Sequence, residues 1–496
     1  DGTSADIDWT NSTSSLTATW SGFSDTLSGI QKYEYAIGTE IDSFALVNWT
    51  SVGLDTFFIE SNLTLISGET YYVVVKSTDH VSNTNISSGD GITVDLIVPV
   101  IGELYDGSET EDMDWQSSDS TFSLYWSGSD SRELDNYQYS VGTVPGDSNI
   151  AAWTSVSTNT SMVIENVELV EEQTYYGSVR AEDRAGNISD MVSSDGITID
   201  YSTPVSGSVR DGLSADLIFT GTADSLSANW TGFSDSISGI SNYEYAIGTT
   251  IQGTDVASWV STGTDSSMTH SGLTLANGSS YFISVRATDF AGNFSNTESS
   301  DGITVDIEVP ITGSVFDGSG QDEEWAYSFT TLESNWSGFS DTISGIQHYE
   351  YAIGTISGAT DVVAWTNNQL ATSFIREDLT LQGGTTYYIS VRATDLVENT
   401  SAVTTSNGIT VQPFIPTNTE PFDGSITEDI DWQQDSTMLI AAWQSDDTYE
   451  IAYYEYSFGT TIGDSNIVVW TEHGTNTDVT ISSLSLTNGT TYFVNI

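Results

Sequence analysis

Residues 65–75 read Leu65-Ile66-Ser67-Gly68-Glu69-Thr70-Tyr71-Tyr72-Val73-Val74-Val75, a glycine-bearing turn that runs directly into a strand. Tyr71, Val73 and Val75 fall on one side of that strand, the period of two expected where one face is buried. The same Leu-x-x-Gly-x-x-Tyr box returns at Leu275-Gly278-Tyr281, Leu381-Gly384-Tyr387 and Leu486-Gly489-Tyr492, and at Leu169-Glu172-Tyr175 with glutamate in the glycine's place. Working outward, each box closes a longer phrase that opens on Asp-Gly at Asp1, Asp106, Asp211, Asp317 and Asp423 and passes through Tyr-Glu/Gln-Tyr, so the period is 105 or 106 residues. Repeats of roughly 20 to 50 residues build solenoids or propellers, whereas about 100 residues suffice for a domain with its own core. The expectation is five beads in series, at residues 1–97, 98–202, 203–308, 309–414 and 415–496.

Within the first bead, Leu16 to Trp20 alternates apolar and polar residues, as does Ile30-x-x-Tyr33-x-Tyr35-x-Ile37; Phe44 to Trp49, Phe57 to Leu63 and Ile92 to Val94 complete a run of short β-rich segments. Turn residues separate them at intervals of about 8 to 12, and no stretch carries the helical period. The pattern predicts an all-β chain, a tandem array of antiparallel β-sandwiches.

The Trp that ends the second strand, the Tyr-x-Tyr of the third and the Leu-x-x-Gly-x-x-Tyr box before alternating valines resemble the fibronectin type III module and its immunoglobulin-like relatives. The resemblance implies that Leu65, Gly68 and Tyr71, with their counterparts, form a tyrosine corner in which the phenol caps the preceding turn. Glu172 departs from the pattern and predicts a turn of another shape there. Tandem modules of this kind occur in large extracellular surface proteins, so the resemblance also implies an adhesin or filament. The first bead is expected to lack its opening strand and the fifth to stop inside its sixth, as in a window of a longer array, with strand donation from a neighbour as the competing reading.

Composition narrows the classes. The chain has 496 residues, no Cys, 14 Trp, 24 Tyr and 18 Phe, which gives it material for real cores and excludes disulfides, thiolate metal sites and cysteine nucleophiles. No apolar run approaches the ~20 residues of a membrane span. Nine basic against 70 acidic residues leave a net charge of −61. Five strand-built beads of about 30 Å laid end to end would make an axis of about 150 Å, with one net negative charge every ~2.5 Å. Nucleic acid and anionic membrane are excluded as partners by that density, which favours an extended, extracellular array screened by salt or divalent cations. Prolines at Val98-Pro99, Thr203-Pro204, Val309-Pro310 and Ile415-Pro416 mark short, stiff linkers.

Acids recur at matched positions. In the sandwich the resemblance implies, the turns after the second and sixth strands face the arriving linker, which would gather Asp95, Asp130 and Asp183, then Asp200, Asp235 and Asp289, then Asp306, Asp341 and Asp395. Hard cations take six to eight oxygens, so these sets are candidate Ca²⁺ ligands; the competing explanation is that Asp simply favours turns. At the fourth boundary Gln412 replaces the first acid. A second acidic loop holds Asp106, Glu109, Asp112 and Asp114, loosely repeated as Asp423, Glu428, Asp429 and Asp431.

Other recurrent residues point to packing. Trp9, Trp115, Trp325 and Trp432 (Phe219 in the third bead) and Trp49, Trp153, Trp259, Trp365 and Trp470 read as core or sheet-edge aromatics, with a sugar-stacking face as the functional alternative. Lys76, Arg180, Arg286 and Arg392 are expected to pair across strands with Glu34, Gln138, Glu244 and Glu350. The four histidines, His80, His270, His348 and His473, fall at unmatched places, and nothing in the chain marks an enzyme. Sequons at Asn48, Asn62, Asn85, Asn187, Asn229, Asn293, Asn335 and Asn399 are candidate glycosylation sites. The sequence therefore reads as a non-catalytic structural segment, a spacer or fibre wall that self-associates or continues in a longer chain. Carbohydrate- or host-binding modules and accessory domains of a secreted enzyme are the alternatives.

Overall fold

A computed structural model describes residue 2 and residues 6–107, 111–412, 421–425, 428–444 and 451–496. Among the described residues every regular element is a strand. Asp1, Glu109 and the Ile415-Pro416 linker lie outside the described residues. Contacts divide the chain into two units, one of residues 1–218, 224–273 and 280–303, the other of 219–223, 274–279 and 304–496.

In the first unit, the second repeat serves as reference. Its strands are β1 (Val100–Asp106), β2 (Trp115–Gln116), β3 (Thr121–Ser129), β4 (Leu134–Gly142), β5 (Ala151–Ser155), β6 (Ser161–Glu165), β7 (Thr174–Asp183), β8 (Val192–Ser193) and β9 (Ile197–Ile199). One sheet runs β1-β3-β6, all antiparallel. The other runs β2-β9-β7-β4-β5, with β8 also on β7 and β2 parallel to β9. The inward faces alternate as the period of two requires: Phe122, Leu124 and Trp126 of one sheet are buried against Tyr137, Tyr139, Tyr175, Val179, Ile197 and Ile199 of the other. Trp126 meets Tyr137 edge-on, with ring centres 5.9 Å apart.

The first repeat repeats the larger sheet and pairs Ser15–Thr19 with Phe57–Ser61. In the third, Ser208–Asp211, Ser225–Thr231 and Ser267–Ser271 form the smaller sheet. In the second unit, the fourth repeat has both sheets in the same order, and the fifth contributes Phe422–Ser425, Leu439–Ala442 and Asp478–Ile481 to one sheet and Glu455–Gly459, Val468–Glu472 and Phe493–Asn495 to another. Four core clusters each stay within one sequence period.

The tyrosine corner is present where the resemblance implied it. The Tyr71, Tyr175, Tyr387 and Tyr492 hydroxyls accept the backbone N–H of Ile66, Val170, Gln382 and Thr487 at 3.0, 2.8, 2.9 and 2.7 Å. The turn at Glu172 does not have another shape. Glu172 takes φ 62°, beside 91° at Gly68 and 76° at Gly384, and its N–H reaches Ile199 O at 2.9 Å as Gly68 reaches Val94 O at 2.8 Å. Closure of the corner outweighs the roughly 1–2 kcal/mol that a side chain costs in left-handed backbone.

The second core differs from its siblings by one exchange. Where the other repeats pair Ala18 with Val73, Ala228 with Ile283 and Ser334 with Ile389, this one pairs Leu124 with Gly177. A Cβ built on Gly177 would stand 2.1 Å from Leu124 Cδ2, so the leucine fills the space that the missing side chain leaves. Gly177→Val alone should therefore destabilise the second repeat by about 1 to 3 kcal/mol through overpacking, and Leu124→Ala alone by about 2 to 5 kcal/mol through a cavity. Denaturant unfolding of the double variant should recover most of both losses; additive losses would contradict the pairing.

Candidate cation sites

Each matched acidic set is assembled by three elements. Asp95 directly follows the last strand of the first repeat, Asp130 follows β3, and Asp183 ends β7. One carboxylate oxygen from each lies within 4.8 Å of the other two, and the same holds for Asp200, Asp235 and Asp289 and for Asp306, Asp341 and Asp395. The first and third members of every set are buried and the second is half-buried. The structure thus brings together all nine acids singled out in the sequence.

Backbone donors fix these groups. Asp235 Oδ1 accepts the N–H of Ile237, Ser238 and Gly239 at 3.0, 2.9 and 3.0 Å, and Asp341 Oδ1 repeats this with Ile343, Ser344 and Gly345. Asp200 Oδ2 accepts the N–H of Ser238, and Asp306 Oδ2 that of Ser344, both at 3.1 Å, so a linker carboxylate is tied to the loop it meets. Asp130 Oδ1 is shut from solvent with no hydrogen-bond partner. Burial pushes the Asp289 carboxyl up, with Asp200 and Asp235 beside it adding to the rise against the Asn293 hydrogen bonds.

Asn187, Asn293 and Asn399 were missed as part of these sites. Asn187 N–H donates to Asp183 Oδ1, and its Nδ2 donates both to Asp183 Oδ2 and to the linker carbonyl of Asp95, at 2.8, 2.8 and 2.9 Å. Asn293 and Asn399 repeat all three bonds toward Asp289 and Asp200 and toward Asp395 and Asp306. The signal was an asparagine four residues after each acid. With Asn229 and Asn335, whose Nδ2 atoms donate to Gly212 O and Gly318 O, five of the sequon amides are spent on structural hydrogen bonds.

The second acidic loop assembles differently from its sequence reading. Asp106 and Asp112 converge not with Asp114 but with Asp195, from just before β9; Asp211, Asp216 and Asp301 form the same trio in the third repeat. In the fourth repeat Asp317 and Asp322 keep their places and Asn407 replaces the third acid. Burial pushes the Asp106 carboxyl up to about 7, with Asp112 and Asp195 adding to the rise and the Ser194 hydroxyl opposing it. Burial likewise raises Asp211 and Asp317 to about 6.

The recurrent cations sit where cross-strand pairing placed them. Glu34, Gln138, Glu244 and Glu350 are in direct register with Lys76, Arg180, Arg286 and Arg392. Each cation also reaches past that partner to lie over an indole two strands away, 4.2 Å from the Trp49 ring centre, 4.5 Å from Trp153 and 4.4 Å from Trp259 and Trp365. These tryptophans are half-buried, with one ring face occupied by the cation. Trp9, Trp115 and Trp325 pair in parallel with the last strand of their repeat, at Thr93, Thr198 and Thr410.

Two opposed sheets in this order, closed by a tyrosine corner and repeated along the chain, define a tandem array of fibronectin type III-like and immunoglobulin-like sandwiches. No known family profile matches the chain. It is 27% identical over 264 residues to Exoglucanase B of Cellulomonas fimi, an alignment that spans 52% of this chain and 22% of that protein. Among solved structures it is similar to a Ca²⁺-stabilized adhesin with which an Antarctic bacterium binds ice (18% identity, 83% of this chain and 97% of that one, TM-score 0.31). It is also similar to the FN1-FN3 domains of chicken CNTN1 (17%, 64% and 98%, TM-score 0.25) and to three domains of titin (14%, 64% and 100%, TM-score 0.29).

The raised carboxyls fix the sign of a pH dependence. With cations chelated, the folded chain holds protons at Asp106, Asp211 and Asp317 that the unfolded chain releases above its ordinary carboxyl range, so stability falls as pH rises from about 4 toward 7. Glu34 and Asp79, held below their usual values, act in the opposite sense only below about pH 4.5. Thermal unfolding in chelator should give a higher midpoint at pH 5 than at pH 7.5, and the triple change to Asn at Asp106, Asp211 and Asp317 should flatten the slope. A midpoint that climbs over that interval would contradict the burial argument.

Proposed function

We propose that this chain is a non-catalytic structural segment of an extracellular cell-surface adhesin or filament, an extended spacer of five sandwich beads that calcium stiffens at their junctions. The observation that carries the reading is the convergence of three carboxylates where a linker aspartate, Asp95, Asp200 or Asp306, meets the next repeat. Like charges about 4 Å apart repel by about 4 kcal/mol per pair at an effective dielectric of ~20, so each trio calls for a counter-ion. Two oxygens on opposite sides of a calcium ion at ~2.4 Å are ~4.8 Å apart, which suits these trios, and water and loop carbonyls would complete the six to eight ligands. Among the described residues no helix is long and apolar enough to cross a membrane. Self-association into a fibre, or continuation in a longer chain, follows from this reading as the role of such a spacer.

A second reading is favoured by the likeness to Exoglucanase B: the array would be an accessory segment of a secreted enzyme and would hold a catalytic domain at a distance. The mechanical role of the junctions is the same in both.

Calorimetric titration of the full chain with CaCl₂ should show saturable binding, and thermal unfolding should shift upward by several degrees in excess calcium. The variant carrying Asp130→Asn, Asp235→Asn and Asp341→Asn should lose three bound ions and most of that shift. Calcium binding that this variant retains in full, or a midpoint indifferent to chelator in the parent, would overturn the proposal.

A further inference from the structure

We propose that the second and third repeats each hold another divalent cation, within the bead and apart from its junction, at Asp106, Asp112 and Asp195 and at Asp211, Asp216 and Asp301. Each trio has one carboxylate oxygen per residue within 4.8 Å of the others. Proximity alone would be unremarkable in so acidic a chain; the environment of the first member is what distinguishes it. Asp106 and Asp211 are 0% exposed. Both Asp106 oxygens, and Oδ1 of Asp211, are shut from solvent with no donor in hydrogen-bond geometry, and the nearby Ser194 and Ser300 hydroxyls offset only part of the burial. The Asp106 oxygen that lies within 4.8 Å of the Asp112 and Asp195 carboxylates is therefore one of these. The second Asp211 oxygen accepts the N–H of Gly302 at 3.1 Å, which leaves only Oδ1 open to the cluster.

A buried carboxylate needs a compensating charge or donors, because leaving it bare costs several kcal/mol. Among the described residues no Lys or Arg ion pair reaches either group; the cations bridge Glu34, Glu133, Glu244 and Glu350 instead. Three acids and no base make an oxygen-only, anionic site, the chemistry of a hard divalent ion of calcium's size. The remaining ligands would come from water, since Asp112, Asp195, Asp216 and Asp301 are exposed.

The placement gives the ion a task that the junction sites do not perform. Asp106 is the last residue of β1, in one sheet, and Asp195 lies two residues before β9, in the other. Asp112 is tied to the same strand end, since its Oδ1 accepts the Asp106 N–H at 3.2 Å, as Asp216 Oδ1 accepts that of Asp211 at 3.0 Å. A cation there clamps one sheet to the other within a bead. The fourth repeat supplies the internal comparison. Asp317 is equally buried with Oδ1 unpartnered, and its Oδ2 accepts the Gly408 N–H at 3.0 Å, but the third position is the neutral Asn407.

The test is calcium stoichiometry of the full chain by equilibrium dialysis against CaCl₂ alone. The double variant Asp195→Asn and Asp301→Asn, changed at exposed positions, should bind two fewer ions than the parent. Asn407→Asp should bind one more, a gain that no loss of folding can imitate. An unchanged count in either variant overturns the proposal. The junction reading fails or stands separately, because the variant at Asp130, Asp235 and Asp341 leaves these trios intact and should keep their two ions.

Discussion

Carboxylates held close together without bases to neutralise them are the constraint from which the organisation of this chain follows. A charge of −61 could have been dispersed over the surface, where about 8 Å of screening at physiological salt would make it nearly inert. Instead, acids are drawn to matched places in each bead, some of them fully buried. Such groups, once buried together, call for a proton, hydrogen-bond donors or a cation among them. Four of the nine bases, Lys76, Arg180, Arg286 and Arg392, are committed elsewhere, each between a cross-strand carboxylate or amide and an indole face. On the reading proposed above, the acidic trios are left to an external ion.

The sandwich supplies the geometry that makes this recurrent. Because β7 ends and β3 turns at the pole where the linker enters, a single aspartate at the close of one repeat is enough to complete a trio with the next. Asparagine four residues beyond the β7 acid then joins acid and linker carbonyl through one side chain. The tyrosine corner and the Trp–Tyr edge contact hold the sheets that carry these groups. They tolerate local exchange, as the Leu124 and Gly177 pair and the left-handed Glu172 illustrate.

Much of this was legible in the sequence. The period of two in Tyr71-Val73-Val75 and the spaced turns specified strands, and the matched acids specified the junction trios, because each position is fixed by its distance from a strand end. What escaped the sequence reading depended on contacts between distant segments. Asp195 lies about 80 residues from Asp112, and only the packing of the two sheets, which sets the approach to β9 beside the end of β1, brings them together. Asp114, near Asp112 in sequence, takes no part: its carbonyl accepts the Thr198 N–H at 2.8 Å, in the strand that β2 joins. The shape of the Glu172 turn was misjudged from its residue type, since hydrogen bonds at both ends impose the backbone whatever the side chain. The cation over each indole was equally hidden, because register predicts the partner on the adjacent strand but not a side chain that reaches across it to the next one.

The claim at the centre is mechanical: cation-filled junctions hold sandwiches in line. Small-angle X-ray scattering of the full chain, in calcium and then in chelator, addresses it directly. An array of five beads of about 30 Å each should give a maximum dimension near 150 Å in calcium, and a broader, more flexible distance distribution once the ion is removed. A compact particle in calcium, or identical curves in the two conditions, would contradict it.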